Sequence, residues 1–468
     1  MDDPPPRAAA APAQGRGPLY ALALVAATFA ICLIRLVGFV QDNAVDLPFE
    51  DQWISLGPLF RNEGPWRSFL FQYGPQRQGL GGLICWYLYR ATGWDVRAEV
   101  WTDVVVLCMT TVVALALMVR LRGRLSWSDA GFPLLLLGTF HWETMTFVPN
   151  ISHSILPLAF IFLLAYAWSI PRPLLQVAAT GLSGGLLIFT GYSVCGAPMI
   201  IGLALLLWLR SERTGEERRT AGLALICLGA AALAFACDYH WEPGVPGWHF
   251  PVSNWWDYPR FCALMFTSLL GFRSISAPTT SAGTALLGLV LAAFLTAAVK
   301  IWRGEATART KVVWILTGIP LIYTVLTAVG RLPTNIEAAF MWRYMTLMTP
   351  ALCGLAIAVE EWAGGRRGLQ RGLMIGWVAL AALIWSNFTP ERNAATITMG
   401  KKLWIASYLK TRNLAAANQE SNFWVYFPSP NSPLIAERLH WLEQQHLSFF
   451  RTADAGYVQE KSPPAAGR

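Results

Sequence analysis

The chain has 468 residues, of which 54% are hydrophobic and only 14% are charged. A soluble globular protein carries about 25% charged residues, so this composition excludes an ordinary soluble domain and predicts a polytopic membrane protein. A net charge of +8 could suggest a nucleic-acid partner, but the basic residues cluster in short loops, as they do in membrane proteins. We therefore expect an all-α membrane helix bundle in a lipid bilayer, with no nucleic acid bound.

Apolar runs set the predicted organisation of the chain. Residues 1–18 are rich in proline, alanine and glycine and are predicted to form a disordered cytoplasmic tail. About eleven membrane-spanning helices are predicted from the runs 19–40, 99–119, 130–148, 150–170, 174–190, 192–209, 220–237, 281–300, 312–329, 344–361 and 372–388. They form a predicted transmembrane bundle over 19–388, which is followed by a tail of two or three helices over 389–468.

Two long loops interrupt the predicted bundle, a first external loop at 41–98 and a second at 238–280. Each contains an apolar segment, 79–89 and 255–270, that is too short to span a bilayer easily. We expect both segments to lie in the membrane interface. The predicted aromatic anchors of the first segment are Trp86, Tyr87 and Tyr89.

The distribution of lysine and arginine predicts the orientation. With the N-terminus in the cytoplasm, the inward segments carry nearly twice as many basic residues as the longer outward loops. We therefore expect a multi-pass protein of the cytoplasmic (inner) membrane of a bacterium, with the C-terminal tail outside. The eight cysteines lie mostly in apolar stretches without a CxxC motif, so we interpret them as packing residues.

Polar and ionisable residues gather at the predicted external ends of the helices, where their cost near hydrocarbon usually marks function. In the first loop Glu50 and Asp51 precede Trp53, so one acid should be partly desolvated, with a raised pKa that suits a general base. The expected substrate-binding residues are Asp46, Trp53, Arg77, His141, Glu143, Asn150, His153, Tyr192, Arg331, Arg343 and Tyr344. Plainer alternatives stay open: solvated loop acids, interface histidines held by backbone groups, and an aromatic belt at the membrane surface.

Two arginines, Arg331 and Arg343, bracket a short external loop against the positive-inside trend. Because a guanidinium matches a phosphate in a fork geometry, this placement favours a phosphate clamp over a pair of snorkelling anchors. Arg35 or Arg77 is expected to keep the catalytic acid ionised and to orient it.

These residues carry a resemblance to a known class of enzymes. The segments EDQW at 50–53, HWET at 141–144 and WRY at 342–344 follow one span and an acidic external loop. In this they resemble the GT-C class of integral-membrane glycosyltransferases, over roughly residues 19–390. A group of bacterial members often has Asn-Glu-His-Arg after the acidic loop, whereas this chain has GPQR at 74–77 and keeps only the arginine.

The resemblance implies a polyprenyl-phosphate-linked sugar as donor and a cell-envelope glycan, lipid or protein as acceptor. It also implies that Asp51 or Glu50 is the base and that Arg331 and Arg343 hold the lipid phosphate. No nucleotide-binding motif is present. No cofactor is expected, and a divalent metal stays open without a motif that indicates one. An O-antigen-type polymerase or ligase, a membrane acyltransferase and a lipid or solute transporter remain as alternatives.

Overall fold

A computed structural model of the chain describes residues 17–190, 193–210, 215–242, 248–387 and 390–453. Over these residues the fold is almost entirely helical, and strand pairing is limited to one hairpin in which Gln72–Tyr73 lies antiparallel to Gln76–Arg77. The predicted all-α class is therefore confirmed. The predicted tail at 1–18 lies outside the described residues as far as residue 16.

The α-helices within these ranges are numbered in chain order. They are α1 (Gly17–Asn43), α2 (Gln52–Ser55), α3 (Gly57–Phe60), α4 (Pro65–Leu70), α5 (Gly79–Thr92), α6 (Val96–Arg122), α7 (Gly131–Leu136), α8 (Ile155–Ser169), α9 (Pro173–Ile188), α10 (Ser193–Arg210), α11 (Gly215–Ala236), α12 (Asp257–Leu269), α13 (Ala277–Arg303), α14 (Ala308–Arg331), α15 (Arg343–Trp362), α16 (Arg367–Asn387), α17 (Glu391–Thr411), α18 (Leu414–Ser421), α19 (Pro433–Gln444) and α20 (Phe450–Ala453).

Six helical stretches in the described part of the chain are long and apolar enough to cross a membrane. They are α1 from Leu19, α6, α11, α13, α14 and the stretch Arg367–Thr411, which contains α16 and α17. A span needs about 20 apolar residues, and each of these stretches meets that length. The chain therefore has the character of a multi-pass membrane protein.

The predicted count of eleven spans is not confirmed. Two of the predicted runs form apolar helices that are shorter than a typical span, α8 and α9, and the run 192–209 forms the 18-residue helix α10. The run 344–361 does form one helix, α15, but most of its residues are buried inside the bundle.

The run 130–148 was expected to be one continuous span, and this expectation is wrong. The structure divides it into α7, a 3-10 turn at Thr139–His141 and a π-helical turn at Glu143–Phe147. The first interruption is at Gly138, which has the extended φ of −70° and ψ of 144° between α7 and the 3-10 turn. The π-helical turn ends at Val148, which precedes Pro149 and leaves the helical region with a φ of −127° and a ψ of 84°. The break brings polar side chains to this end of the bundle.

Helices α14 and α15 pack closely at the centre of the bundle, and α14 also packs on α8, α10 and α13. A Cβ atom on Gly354 of α15 would lie 2.8 Å from Cγ2 of Thr317 and 2.9 Å from Cβ of Leu316 on α14. A glycine at this position therefore permits the close approach of the two helices, as small residues do in membrane bundles.

The two segments that were expected to lie in the membrane interface do form helices, α5 and α12. Tyr89 of α5 is fully buried and donates a hydrogen bond to Oε2 of Glu99 at 2.7 Å, so it is not an interface anchor. In α12 every residue from Phe261 to Leu269 is buried, mainly against α13 and the 3-10 turn Ile336–Phe340. Tertiary packing therefore occupies much of the apolar surface that suggested an interfacial position.

The loop between α1 and α6, residues 44–95, packs against the C-terminal segment, residues 390–453. The rings of Trp94 and Trp441 lie 5.1 Å apart, and the N–H of Ser448 donates to the carbonyl of Gly93 at 2.9 Å. We call residues 44–95 the first loop and residues 390–453 the C-terminal segment. Their packing positions the polar residues described next.

Candidate functional site

Asp46 fixes the start of the first loop. Its carboxylate accepts hydrogen bonds from the N–H of Val96 at 3.0 Å and from Oγ of Ser448 at 3.1 Å, and it lies 3.4 Å from Nη2 of Arg451. Burial, helped by the charge of Asp95, raises the pKa of Asp46 to about 6. The carboxylate ties the first loop to the C-terminal segment, so the predicted substrate-binding role is corrected to a structural one.

Glu50 and Asp51 turn to different partners. Glu50 has a φ of 50°, its N–H donates to the carbonyl of Val425 at 2.9 Å, and its Oε1 accepts from the N–H of Phe427 at 2.7 Å. Asp51 is helical, and its Oδ1 accepts the hydroxyl of Tyr73 at 2.8 Å. Burial and the charge of Asp51 raise the pKa of Tyr73 well above its ordinary value, so this phenol stays protonated. A left-handed glutamate is strained, and such strain is common at functional sites.

Charged groups from four parts of the chain meet around these acids. Burial and the charge of Asp51 raise the pKa of Glu50 to about 7, while the positive charges of Arg343 and Lys401 oppose that rise. Burial lowers the pKa of His153 to about 4, and the charges of Asp51 and Arg343 act on it in opposite directions. Each of these five side chains therefore lies within electrostatic reach of at least one other, and we call them the acid cluster.

Arg343, the first residue of α15, is held by Glu143 of the π-helical turn. The N–H of Arg343 donates to Oε2 of Glu143 at 3.0 Å, and its Nε lies 3.8 Å from Oε1. The broken run 130–148 thus brings one predicted site residue against another. Arg331 ends α14, and within the described residues its side chain makes no hydrogen bond or ion pair. The two-arginine clamp stays a prediction.

The two predicted histidines have different surroundings. His153 lies among amide side chains, with Nδ1 3.1 Å from Nδ2 of Asn150 and Nε2 3.5 Å from Nε2 of Gln78. The structure therefore brings the two predicted residues His153 and Asn150 into contact with each other. His141 is only 1% exposed, and its Nδ1 lies 2.9 Å from Oγ1 of Thr346. Its burial among bundle residues does not suit the predicted contact with a substrate.

Two further predictions from the first loop need correction. Trp53 has no exposed surface and stacks on Phe60 at 6.2 Å, so its ring is not available to a sugar. Arg77 is 3% exposed and donates to the backbone carbonyls of Phe235, at 3.0 Å, and Cys237. Arg77 therefore joins the hairpin to the end of α11 and does not orient the catalytic acid.

The remaining predicted residues have other partners or lie outside the described ranges. Tyr344 is 5% exposed, and although its ring lies 5.7 Å from Cζ of Arg343 it packs edge-on against Tyr323 at 6.3 Å, inside the bundle. Arg35 pairs with Glu391 of α17 at 2.9 Å, an acid of the C-terminal segment. Tyr192 lies outside the described residues.

Lys401 is a member of the acid cluster that the sequence analysis missed. It is 1% exposed, and its Nζ donates to the carbonyls of Thr146 at 3.0 Å and Phe147 at 2.8 Å. A signal was available, because Lys401 shares the buried face of α17 with Trp404 and Tyr408, three and seven residues later. A lysine at an apolar position of a helical repeat indicates a buried charge with a specific task.

A short stretch of the C-terminal segment, residues 423–427, closes the site on one side, and we call it the strap. Besides its two backbone contacts with Glu50, it packs the ring of Phe423 on Phe49 at 5.4 Å. Val425 at its centre is fully buried. The predicted tail over 389–468 thus includes a structured cover for one of the two acids.

The arrangement can perform proton transfer beside an anion-binding group. Asp51 is a carboxylate oriented by a tyrosine, and the guanidinium of Arg343 lies, like Asp51, within electrostatic reach of Glu50 and His153. Across the described ranges, no group of three or more histidine, cysteine, aspartate or glutamate side chains is placed to hold a metal ion. Comparison of the chain with protein-family models and with curated proteins finds no match.

Proposed function

We propose that the protein is a membrane glycosyltransferase of the GT-C type. It transfers a sugar from a polyprenyl-phosphate donor to a hydroxyl group of a cell-envelope acceptor, at the outer face of the cytoplasmic membrane. The observation that carries the proposal is that Asp51, oriented by Tyr73, and Arg343, held at Glu143, both lie within electrostatic reach of Glu50. A base for the acceptor and a cation for the leaving phosphate are the two groups that this reaction needs.

Asp51 is the proposed base. Its Oδ1 holds the hydroxyl of Tyr73, and Oδ2 makes no hydrogen bond with the described part of the chain, which leaves it for the acceptor hydroxyl. The tyrosine stabilises the charged carboxylate and fixes its orientation. As the acceptor oxygen bonds to the anomeric carbon, its proton passes to Asp51, the bond from that carbon to the phosphate oxygen breaks, and polyprenyl phosphate leaves with the electron pair.

Arg343 is the proposed phosphate ligand. Its Nη2 donates to Sδ of Met341 at 2.9 Å and its Nε lies 3.8 Å from Oε1 of Glu143, and a phosphate would offer this guanidinium a charged partner in the fork geometry that it favours. Arg331, at the end of the adjacent helix α14, is the proposed second ligand of the phosphate. Glu50 is the proposed ligand of a sugar hydroxyl, because a carboxyl with a pKa of about 7 both donates and accepts hydrogen bonds near neutral pH.

Donor kinetics test this assignment. The full chain in detergent is supplied with a panel of radiolabelled donors that includes polyprenyl-phosphate mannose and polyprenyl-phosphate arabinose. At least one donor should be consumed, and Arg343→Ala should raise its apparent KM by about tenfold or more for a lost charge-assisted contact. The control is Arg260→Ala, an exposed arginine of α12, which should leave KM unchanged. Equal effects of the two variants would remove Arg343 from the donor site.

A proton-coupled transporter is a second candidate, because α6 carries two buried acids. Asp103 has no exposed surface and neither carboxyl oxygen has a partner within the described residues, while Glu99 lies one turn away and is also buried. Buried acids in a membrane helix usually mark a functional path. A cavity of about 10 Å³, room for one water, is lined by Glu99 and Asn150 among others. This candidate would be favoured if vesicles that contain wild type take up protons and vesicles that contain Asp103→Asn do not.

A further inference from the structure

Two large aromatic side chains are exposed on the strap. Trp424 and Phe427 expose 44% and 46% of their surface, although Val425 between them is fully buried. Their rings meet edge to face, with centroids 5.8 Å apart. The strap therefore holds two apolar rings against each other at the surface. Packing in the protein core does not account for the presence of apolar side chains at these two positions.

These rings lie beside acidic groups. The N–H of Phe427 is the donor that holds Oε1 of Glu50 at 2.7 Å. Tyr426, between the two rings in sequence, lies within electrostatic reach of both Glu50 and Asp51. A ligand that covers the exposed rings would therefore lie beside the segment whose backbone binds the carboxylate of Glu50.

Carbohydrate is the ligand class that fits this combination. The face of an aromatic ring carries negative charge density, which attracts the weakly positive C–H face of a sugar ring. Carboxylates accept hydrogen bonds from sugar hydroxyls. A lipid chain would satisfy the rings but would leave Glu50 and Asp51 in contact with hydrocarbon, at a high cost in free energy.

We propose that Trp424 and Phe427 form a carbohydrate-binding subsite that holds a sugar ring of the acceptor beside the acid pair. The assignment rests on the proposed glycosyl transfer and narrows its acceptor from glycan, lipid or protein to a glycan. The strap then has two tasks, since it fixes Glu50 through its backbone and binds the acceptor through its side chains.

Binding of soluble oligosaccharides tests the subsite. The full chain in detergent is applied to an array of mannan, arabinan, galactan and peptidoglycan fragments. Wild type should bind at least one fragment class, and Trp424→Ala should weaken that binding on the order of tenfold. Trp424→Tyr, which keeps an aromatic face, should restore most of it, whereas Trp424→Leu should not.

A matched control is present in the first loop. Trp66 is 69% exposed and meets Phe69 edge to face at 5.9 Å, much as Trp424 meets Phe427. Trp66→Ala should leave glycan binding unchanged. The proposal is overturned if no fragment binds, or if Trp66→Ala weakens binding as much as Trp424→Ala. It is also overturned if Trp424→Leu binds as well as Trp424→Tyr. That result would show that any apolar side chain is sufficient, as it is for a lipid contact, and that no aromatic face is needed.

The subsite and the transfer reaction can fail separately. If glycans bind through Trp424 but wild type consumes no polyprenyl-phosphate donor, the subsite stands and the proposed function fails. If a donor is consumed while Trp424→Ala leaves both glycan binding and transfer unchanged, the function stands and the subsite fails.

Discussion

Replacement of Lys401 by methionine should destabilise the protein although no surface residue changes. The Nζ donates to the carbonyls of Thr146 and Phe147, and its charge faces Glu50. Each hydrogen bond from a charged group contributes about 1.5–3 kcal/mol, so the two together contribute about 3–6 kcal/mol. Methionine has a similar length and avoids the cost of burying an ammonium group. This gain offsets part of the free energy lost with the two hydrogen bonds. We expect a net loss of about 2–4 kcal/mol in the free energy of unfolding.

Chemical denaturation of the purified chain in mixed micelles measures this loss. The adjacent residue provides the control, because Lys402 is exposed and Lys402→Met should change stability by less than about 0.5 kcal/mol. A second readout is local, since loss of Lys401 should increase amide exchange at the π-helical turn that contains both carbonyl groups. If Lys401→Met and Lys402→Met are equally stable, Lys401 is not the buried tie that the structure indicates.

Three other predictions concern the same site and its orientation. For Glu50, whose pKa rises from 4.5 to about 7 on folding, the folded state binds more protons between these values. The stability of wild type relative to Glu50→Gln should therefore fall as the pH rises from about 4.5 to about 7 and stay constant above. Denaturation of both variants across that pH range measures the difference in their free energies of unfolding. A difference that does not change with pH would contradict the prediction. Tyr73→Phe removes the hydrogen bond that orients Asp51, so transfer should fall about tenfold, whereas an unchanged rate would show that the phenol does not act on the base. In a chain without its native cysteines, Ser429→Cys should react with an impermeant maleimide added from outside and Arg124→Cys should not; the reverse pattern would place the acid cluster in the cytoplasm.

The sequence predicted the helical class and the separation of Glu50 from Asp51. Both follow from local information, namely hydrophobic runs and the different directions of neighbouring side chains. The placement of Arg343, Glu143 and His153 near these acids was also suggested, because all occur at helix ends that topology brings to one side. For these residues, the hydrophobic periodicity of the helices and the position of each residue at a helix end were sufficient to predict their location.

Contacts between distant parts of the chain could not be predicted. Asp46 and Arg77 look like site residues in a polar loop, yet Ser448 and Phe235, far away in sequence, occupy their hydrogen-bonding groups. Trp53 resembles a surface aromatic until the loop folds over it. The run 130–148 is apolar enough to span, but Pro149 and the burial of Glu143 against Arg343 favour short turns.

The most direct test of the account is sugar transfer by Asp51→Asn. This variant keeps the volume and the hydrogen-bond acceptor for Tyr73 but loses the charge that accepts the proton. With the donor that wild type consumes, its rate should fall by roughly 10²–10⁴-fold, the loss typical of a general base, while donor binding stays nearly unchanged. Asp42→Asn, which alters an exposed acid at the end of α1, should retain the full rate. Transfer by Asp51→Asn at the wild-type rate would contradict the assignment of the base. If Glu50→Gln also retained the wild-type rate, glycosyl transfer by this acid pair would be contradicted.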